Sequence, residues 1–189
     1  MLDSSKEKEK KHMKVSDRIG IRREIFTGKL GERMFTVRPI TPEDVKDVLA
    51  LQEYVMRCLS DKNLLMGETE AEILESIDLD FCVGVFDGKR IIAFSLMVVN
   101  RETPRNLGQK LGFPPQDSVY FDITFVHPDY RGMGLQAYFL SLRDEIARQL
   151  GAKLAFVTVS PFNEHSLKNV KNSGFQVYDR RIMYSGVDR

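Results

Sequence analysis

Residues 118–136 have the sequence SVYFDITFVHPDYRGMGLQ, and the other predicted elements are arranged around this segment. Apolar and polar side chains alternate over its first eight residues, as expected of a β-strand; the apolar members are Val119, Phe121, Ile123 and Phe125. A turn at residues 127–130 follows, and then two glycines, Gly132 and Gly134. From Leu135 onward apolar residues recur at helical spacing, until Gly151 supplies a stop signal. The stretch therefore predicts a strand, a glycine-rich turn and an amphipathic helix in direct succession.

The start of that helix suits an anion. The first N–H groups of a helix have no partner within the helix, and the helix dipole makes that end positive. Gly132 and Gly134 let a ligand approach the backbone closely, and Arg131 adds a permanent positive charge beside them. A phosphate or pyrophosphate is the ligand that such a site favours. Residues 131–136 are therefore the predicted phosphate cradle.

The cradle resembles the acetyl-CoA-binding motif Q/R-x-x-G-x-G/A of the GNAT N-acetyltransferase family. The matching residues here are Arg131, Gly132, Met133, Gly134, Leu135 and Gln136. The preceding residues 127–130, HPDY, are similar to what many members carry before that arginine. The motif's last small residue is replaced by Gln136, whose side chain would either crowd a pyrophosphate or donate to it. The resemblance implies that these residues bind acetyl-CoA as a co-substrate.

Length and composition are those of one globular domain. The 189 residues are 42% hydrophobic and 29% charged, with a formal net charge of +1, which gives no reason to expect nucleic acid or a membrane as a partner. Cys58 and Cys82 have no redox spacing, no cluster of ligand residues has metal spacing, and no run is long enough to span a bilayer. We expect a cytoplasmic protein without a metal, with residues 19–189 as its domain and residues 1–18 as a disordered charged tail.

The rest of the chain predicts strands and helices around this centre. Strands are expected at residues 34–38, 81–86, 90–99, 153–159, 175–178 and 182–184, and residues 19–26 could form a hairpin with the first of them. Helices are expected from Thr41 to about Ser60, from Thr69 to Ile77 and from Glu164 to Asn172. The loop at residues 100–117 is long, and loops of that length are often functional.

This order matches the GNAT arrangement over about residues 33–184. The resemblance implies an α/β (α+β) fold, with a mixed central sheet, flanking helices and two parallel central strands that splay apart. In the family, the pantetheine arm of coenzyme A lies between those strands. The resemblance therefore places backbone groups of Phe125 and Val126 on the pantetheine and Asn163 on the cofactor. It also places the acceptor beside the loop at residues 100–116.

The family reaction is direct attack of an amine on the acetyl thioester. It requires a base for the amine, a hydrogen-bond donor for the thioester carbonyl and an acid for the leaving thiolate. By resemblance, Asp122 is the candidate base and the N–H group of Val126 is the candidate donor. Many members carry the acid, a tyrosine, four residues before a Gly-Phe pair, where this chain has Val170. Tyr138 and Tyr184 are the alternatives.

The sequence thus predicts an N-acetyltransferase, monomeric or homodimeric, that moves the acetyl group of acetyl-CoA to a primary amine of a small molecule or peptide. Gln136 and Val170 leave a second hypothesis open, a catalytically weak CoA-binding sensor or interaction domain with the same fold. Residues 132–137 also match the dinucleotide pattern G-x-G-x-x-[GA]. That fingerprint needs a tighter turn after the strand and an acid after the next strand, so NAD is not expected.

Overall fold

A computed structural model describes residues 23–27, 33–99, 101–184 and 186–189. The tail predicted at residues 1–18, residues 19–22 of the strand predicted at residues 19–26, residues 28–32, Asn100 and Ser185 lie outside these ranges. Within it, six strands form one sheet in the order β1 to β6; they are Arg23–Thr27, Arg33–Pro39, Phe81–Asp87, Arg90–Val98, Ser118–Val126 and Leu154–Val157. Neighbours from β1 to β5 run antiparallel, whereas β5 and β6 run parallel.

Five α-helices occur in the described ranges: α1, Val45–Arg57; α2, Glu70–Leu79; α3, Leu107–Lys110; α4, Leu135–Gln149; and α5, Glu164–Asn172. The start of α2 is a capping box, in which Glu72 N–H donates to Thr69 Oγ1 at 3.3 Å and Thr69 N–H donates to the Glu72 carboxylate at 2.7 Å. Helix α4 supplies the crossover that a parallel pair of strands requires. None of the helices in the described ranges combines the length with the apolar composition that a membrane span requires.

The two faces of the sheet bury separate apolar clusters. One face packs against α4, and its members include Phe35, Met97, Phe139, Leu142 and Ile146. The other packs against α1 and α2, and its members include Val48, Val55, Ile73, Ile77 and Phe94. Because both faces are covered, β3 and β4 are apolar along nearly their whole length. Complete burial of a Val, Leu, Ile, Phe or Met side chain in these strands contributes about 1.5–3 kcal/mol to the stability of the fold.

Strand β5 contains a bulge that its alternating sequence does not reveal. Asp122 and Ile123 together oppose a single β4 residue, Leu96. The extra residue bends the strand and reverses the alternation of its side chains. The four apolar residues of the sequence pattern are therefore divided between the faces: Val119 and Phe121 pack on the α4 side, and Ile123 and Phe125 pack on the side of α1 and α2.

The end of the chain departs from the prediction. Residues 175–178 form no strand, and β7, Ile182–Met183, pairs with β8, Val187–Asp188, in a separate hairpin. The prediction of a strand at residues 175–178 was wrong. Val177 and Tyr178 are 72% and 65% exposed, so burial gives this short segment no reason to join the sheet.

Candidate active site

Strands β5 and β6 separate beyond their first four paired residues. They pair from Ser118 to Phe121, and β5 continues for five further residues, to Val126, without β6 beside it. A cavity of about 280 Å³ lies along this opening, which we call the interstrand cleft. Its lining includes Glu68, Arg105, Tyr120, Asp122, Gln136, Arg143, Thr158 and Tyr184. The predicted divergence of the two parallel strands is therefore present, and it opens a site.

Beyond its pairing with β6, β5 directs backbone groups to its open edge at alternate residues. His127 N–H donates to the Ile92 carbonyl of β4 at 2.8 Å. Antiparallel alternation then turns the N–H and C=O groups of Val126 away from β4 and toward the opening. The same alternation directs the backbone groups of Phe125 at its β4 partner, Phe94. Of the two residues expected to meet a pantetheine, Val126 therefore directs its backbone groups to the open edge of β5, and Phe125 directs its own to β4.

The phosphate cradle is an open turn at the N-terminus of α4. Gly132 and Gly134 have φ angles of +79° and +84°, in the left-handed region that favours glycine. A Cβ atom at either position would meet nothing within 4 Å. Arg131 is exposed, whereas Met133 and Leu135 are buried in the cluster on the α4 side. The apolar residues thus anchor a turn whose glycine backbone and arginine face open space.

Gln136 and Asn163 are both engaged within the protein. The Gln136 amide donates to Ser166 Oγ at 2.9 Å and accepts from Asn169 Nδ2 at 2.6 Å. Asn163 caps α5, because its Oδ1 accepts the N–H of Ser166 at 3.1 Å. The Gln136 side chain therefore joins α4 to α5, and its amide is directed at α5.

On the side of α1 and α2, one arginine bridges two carboxylates. Arg105 Nη2 donates to the Glu68 carboxylate at 2.7 Å and to the Asp122 carboxylate at 2.8 Å, and Nη1 donates to Ser76 Oγ at 2.9 Å. The three charged side chains are only 11–18% exposed. Arg105 belongs to the long loop that was expected beside the acceptor. We call Glu68, Arg105 and Asp122 the carboxylate cluster. Because two carboxyl groups share one guanidinium, the cluster carries a net negative charge when both acids are ionised.

Burial makes both acids of the carboxylate cluster harder to ionise. Desolvation, together with the nearby charge of Asp122, outweighs Arg105 and raises the pKa of Glu68 to about 7. Burial also raises the pKa of Asp122, and Arg105 offsets only part of that effect. A carboxylate whose pKa lies close to neutral pH is a better proton acceptor than an ordinary one. The cluster can therefore accept a proton near neutral pH.

We expect the free energy of unfolding to fall between pH 5 and pH 8, and Glu68→Gln to remove part of that fall. The pKa of Glu68 is about 7 in the folded state against an ordinary 4.5, so the folded state binds this proton more tightly. The resulting stabilisation is complete below pH 4.5 and is lost as the pH rises through 7. Urea unfolding at several pH values checks this prediction. The contribution of Glu68 to the slope of the unfolding free energy is at most about 1.4 kcal/mol per pH unit.

The control for this measurement is Glu53→Gln, which replaces a 70% exposed glutamate. It should leave the pH dependence of unfolding unchanged. Equal pH slopes in the wild type and in Glu68→Gln would contradict the raised pKa of Glu68.

Three hydroxyl groups meet at the β6 side of the cleft. The Tyr120 hydroxyl lies 2.9 Å from Thr158 Oγ1 and 2.7 Å from the Tyr184 hydroxyl, and Thr158 Oγ1 lies 3.1 Å from the Tyr184 hydroxyl. Burial and the neighbouring charge of Asp122 raise the pKa of Tyr120. Tyr138 instead packs against the apolar cluster on the α4 side. The hydroxyl cluster, residues 120, 158 and 184, thus places a proton donor in the cleft although position 170 is a valine.

Sequence reasoning missed Glu68, Arg105 and Tyr120. Glu68 stands before the capping box of α2 and looks like an ordinary turn residue until Arg105, 37 positions later, reaches it. For Tyr120 a signal was present, because strand alternation places it on the same side as Asp122. The burial that makes Glu68 and Arg105 important is a property of the assembled fold alone.

Comparison with known proteins gives the same fold. A model of the acetyltransferase (GNAT) family matches residues 49–175. Among solved structures, the GNAT-family acetyltransferase from Streptococcus pneumoniae has a TM-score of 0.60 at 17% identity, covering 82% of this chain and 94% of that one. The aminoglycoside N-acetyltransferase AAC(6')-Iy in complex with CoA has a TM-score of 0.57 at 18% identity, covering 78% and 96%. The ribosomal-protein-alanine N-acetyltransferase from Brucella melitensis biovar Abortus 2308 has 0.55 at 12%, covering 79% and 98%.

No curated protein sequence is matched. The family match nevertheless spans 127 of the 189 residues, from within α1 to just beyond α5. That range contains the β5 bulge, the phosphate cradle and the lining of the interstrand cleft apart from Met183, Tyr184 and Arg189. The predicted fold class, a mixed sheet with splayed parallel strands and flanking helices, is confirmed. On the match and the fold together, this chain belongs to the acetyltransferase (GNAT) family.

Proposed function

We propose that the protein transfers the acetyl group of acetyl-CoA to a primary amine of a small molecule or peptide. The observation that carries the proposal is that the carboxylate cluster and the start of α4 meet at one cleft, where β5 and β6 diverge. Gln136, the last residue of the cradle, lines that cleft together with Glu68 and Asp122. The structurally similar AAC(6')-Iy has been solved in complex with the bisubstrate analogue CoA-S-monomethyl-acetylneamine.

Acetyl-CoA fits the described residues. Its pyrophosphate would meet the backbone of the cradle, residues 131–136, where both glycines leave open space and Arg131 supplies charge. Its pantetheine would run along the open edge of β5 and bond the backbone of Val126. Asn163, at the start of α5, is a further proposed contact. No metal takes part in this proposal.

The chain's own groups then supply the chemistry. Asp122, with Glu68 beside it, accepts the proton that the attacking amine loses. The Val126 N–H donates to the thioester oxygen and stabilises the negative charge that develops there. The C–N bond forms, the C–S bond breaks, and the hydroxyl cluster donates a proton to the leaving thiolate through Tyr120 or Tyr184.

Tyr120→Phe is expected to slow transfer about 10- to 100-fold while coenzyme A still binds. The loss is limited because water can also protonate a thiolate. Steady-state release of free thiol measures the rate, and a thermal shift with coenzyme A measures binding. Tyr138→Phe, on the same protein, is the control and should keep the full rate. An unchanged rate in Tyr120→Phe would remove Tyr120 from the mechanism, and an unchanged rate in Tyr184→Phe as well would remove the hydroxyl cluster.

The function itself is tested by free-thiol release from acetyl-CoA in the presence of amines, polyamines, amino acids and peptides. Turnover with at least one acceptor, together with a coenzyme A thermal shift, would support the proposal. A second candidate, a coenzyme A sensor, is favoured by the ion pair that holds Asp122 to Arg105 at 2.8 Å. A thermal shift without turnover across the whole panel would favour the sensor. A folded protein with no shift would rule out both.

A further inference from the structure

Arg143 is a buried cation in the third turn of α4. The residue is 3% exposed. Its guanidinium donates to two backbone carbonyls: Nε donates to that of Phe139 at 3.3 Å and Nη1 donates to that of Leu96 at 3.4 Å. Among the described residues, no carboxylate forms an ion pair with it, whereas the buried Asp80 is paired with Arg101 at 2.8 Å. Within the described part of the chain, Arg143 is therefore held by backbone dipoles and packing, with no carboxylate in direct contact.

Such a position is costly for a charged group. Burial lowers the pKa of Arg143 to about 9, although the charges of Asp122 and Tyr120 oppose that effect. Replacing buried charged groups with well-packed apolar side chains of similar volume is often neutral or stabilising. Stability alone therefore gives no reason for an arginine here.

The contacts of Arg143 bracket the β5 bulge. Its guanidinium carbon lies 4.5 Å from the centroid of the Phe121 ring, and Phe121 is the residue directly before the bulge. Leu96, whose carbonyl it approaches, is the β4 residue opposite the bulge residues Asp122 and Ile123. One side chain of α4 thus touches both strands at the point where their register shifts.

The bulge is therefore held from both faces of the sheet. On the side of α1 and α2, Arg105 bonds the carboxylate of Asp122. On the side of α4, Arg143 contacts the ring of Phe121 and the backbone of Leu96. A bulge interrupts the ladder that otherwise fixes a strand, so its geometry depends on such supports. A reacting side chain must be held within about 0.5 Å of its working position.

We propose that Arg143 is a positioning residue, which fixes the β5 bulge and thereby aims Asp122 into the interstrand cleft. In this role it touches no substrate. Its effect on the geometry of Asp122 is independent of the proposed function, whereas its effect on turnover rests on that function. The charged and titratable groups that act on Asp122 are Arg105, Glu68, Asp80, Cys82, Tyr120 and Arg143.

The test compares Arg143→Met with Arg143→Lys in protein carrying ¹³C at the aspartate carboxyl carbons and ¹⁵N at the amides. The Asp122 carboxyl signal is assigned by its loss in Asp122→Asn. In Arg143→Met we expect a folded protein whose amide signals at the bulge are displaced and whose Asp122 titrates at higher pH, because a nearby cation is gone. Arg143→Lys should restore the titration but not the amide signals, since lysine lacks the planar fork.

The matched control is Arg148→Met, which removes a 77% exposed arginine further along α4 and should change neither signal. Unchanged bulge amides and an unchanged Asp122 titration in folded Arg143→Met would overturn the proposal. If that variant does not fold, Arg143→Lys decides, because unchanged bulge amides there overturn the proposal equally.

Turnover supplies a separate readout. We expect Arg143→Met to lower kcat about 10- to 100-fold with the KM for acetyl-CoA unchanged, as for a misplaced reacting group. If no acceptor is turned over by the wild type, the proposed function fails, but the amide and carboxyl signals still decide the role of Arg143. A rise in KM with kcat unchanged would contradict positioning of Asp122.

Discussion

Replacing Asp122 with asparagine is expected to lower acetyl transfer about 100- to 10,000-fold, the range over which a positioned proton acceptor contributes. Asparagine has the same shape but cannot accept the amine proton, and Arg105 keeps one carboxylate partner in Glu68. The fold and the cradle should therefore survive. Steady-state kinetics with the acceptor found in the panel gives the rate, and the coenzyme A thermal shift shows that binding is intact.

Asp117→Asn is the control for this experiment. It removes a carboxylate next to β5 that pairs with Lys153 at 3.0 Å, outside the cleft. Its kinetics should match those of the wild type. Full activity in Asp122→Asn would contradict the assignment of the base. Glu68→Gln then separates the contributions of the two acids to the rate. If Glu68 acts only through Asp122, adding Glu68→Gln to Asp122→Asn causes no further loss of rate.

The second large effect is expected at the cradle, where Gly134→Ala should weaken coenzyme A binding about 10- to 100-fold. A loss of this size corresponds to one hydrogen bond between the backbone and a charged phosphate. Gly134 has a φ of +84°, so alanine is strained there by about 1–2 kcal/mol. In addition, its Cβ enters the open space through which a pyrophosphate would approach the backbone. Titration calorimetry with coenzyme A gives the affinity.

Gly151→Ala separates the two causes. Gly151 follows the opposite end of α4, has a φ of +74°, and also leaves its Cβ position open. Its replacement should cost similar stability, measured by urea unfolding, without weakening coenzyme A binding. Equal losses of affinity in the two variants would show that strain, and not the cradle, governs binding.

The parts of the fold that the sequence predicts are those set by neighbours along the chain. The strand, glycine turn and helix of residues 118–149 follow from local periodicity and from two glycines that the backbone requires. The bulge at Asp122 cannot be predicted in this way, because an inserted residue shows only when β5 is paired with β4. The boundaries of α1 were also too wide, since a 3₁₀ turn, Pro42–Asp44, precedes it.

The candidate site likewise contains residues that are neighbours in the sequence and residues that only the fold brings together. The cradle is contiguous in sequence and was predicted whole, together with Asp122. The carboxylate cluster was not, because Glu68, Arg105 and Asp122 come from three separate elements. Arg143 gave no signal either, since an arginine on an amphipathic helix ordinarily faces water and its burial depends on where β4 and β5 shift register.

The hydrogen bonds of the Gln136 side chain limit how the phosphate cradle could be transplanted into another protein. Gln136 exchanges hydrogen bonds with Ser166 and Asn169, so the cradle of α4 and the first turns of α5 behave as one part. A graft of residues 131–136 alone would leave the glutamine amide without its partners, and restoring a small residue at 136 alone would strand Ser166 and Asn169. The portable unit is therefore six contiguous residues plus two from the next helix.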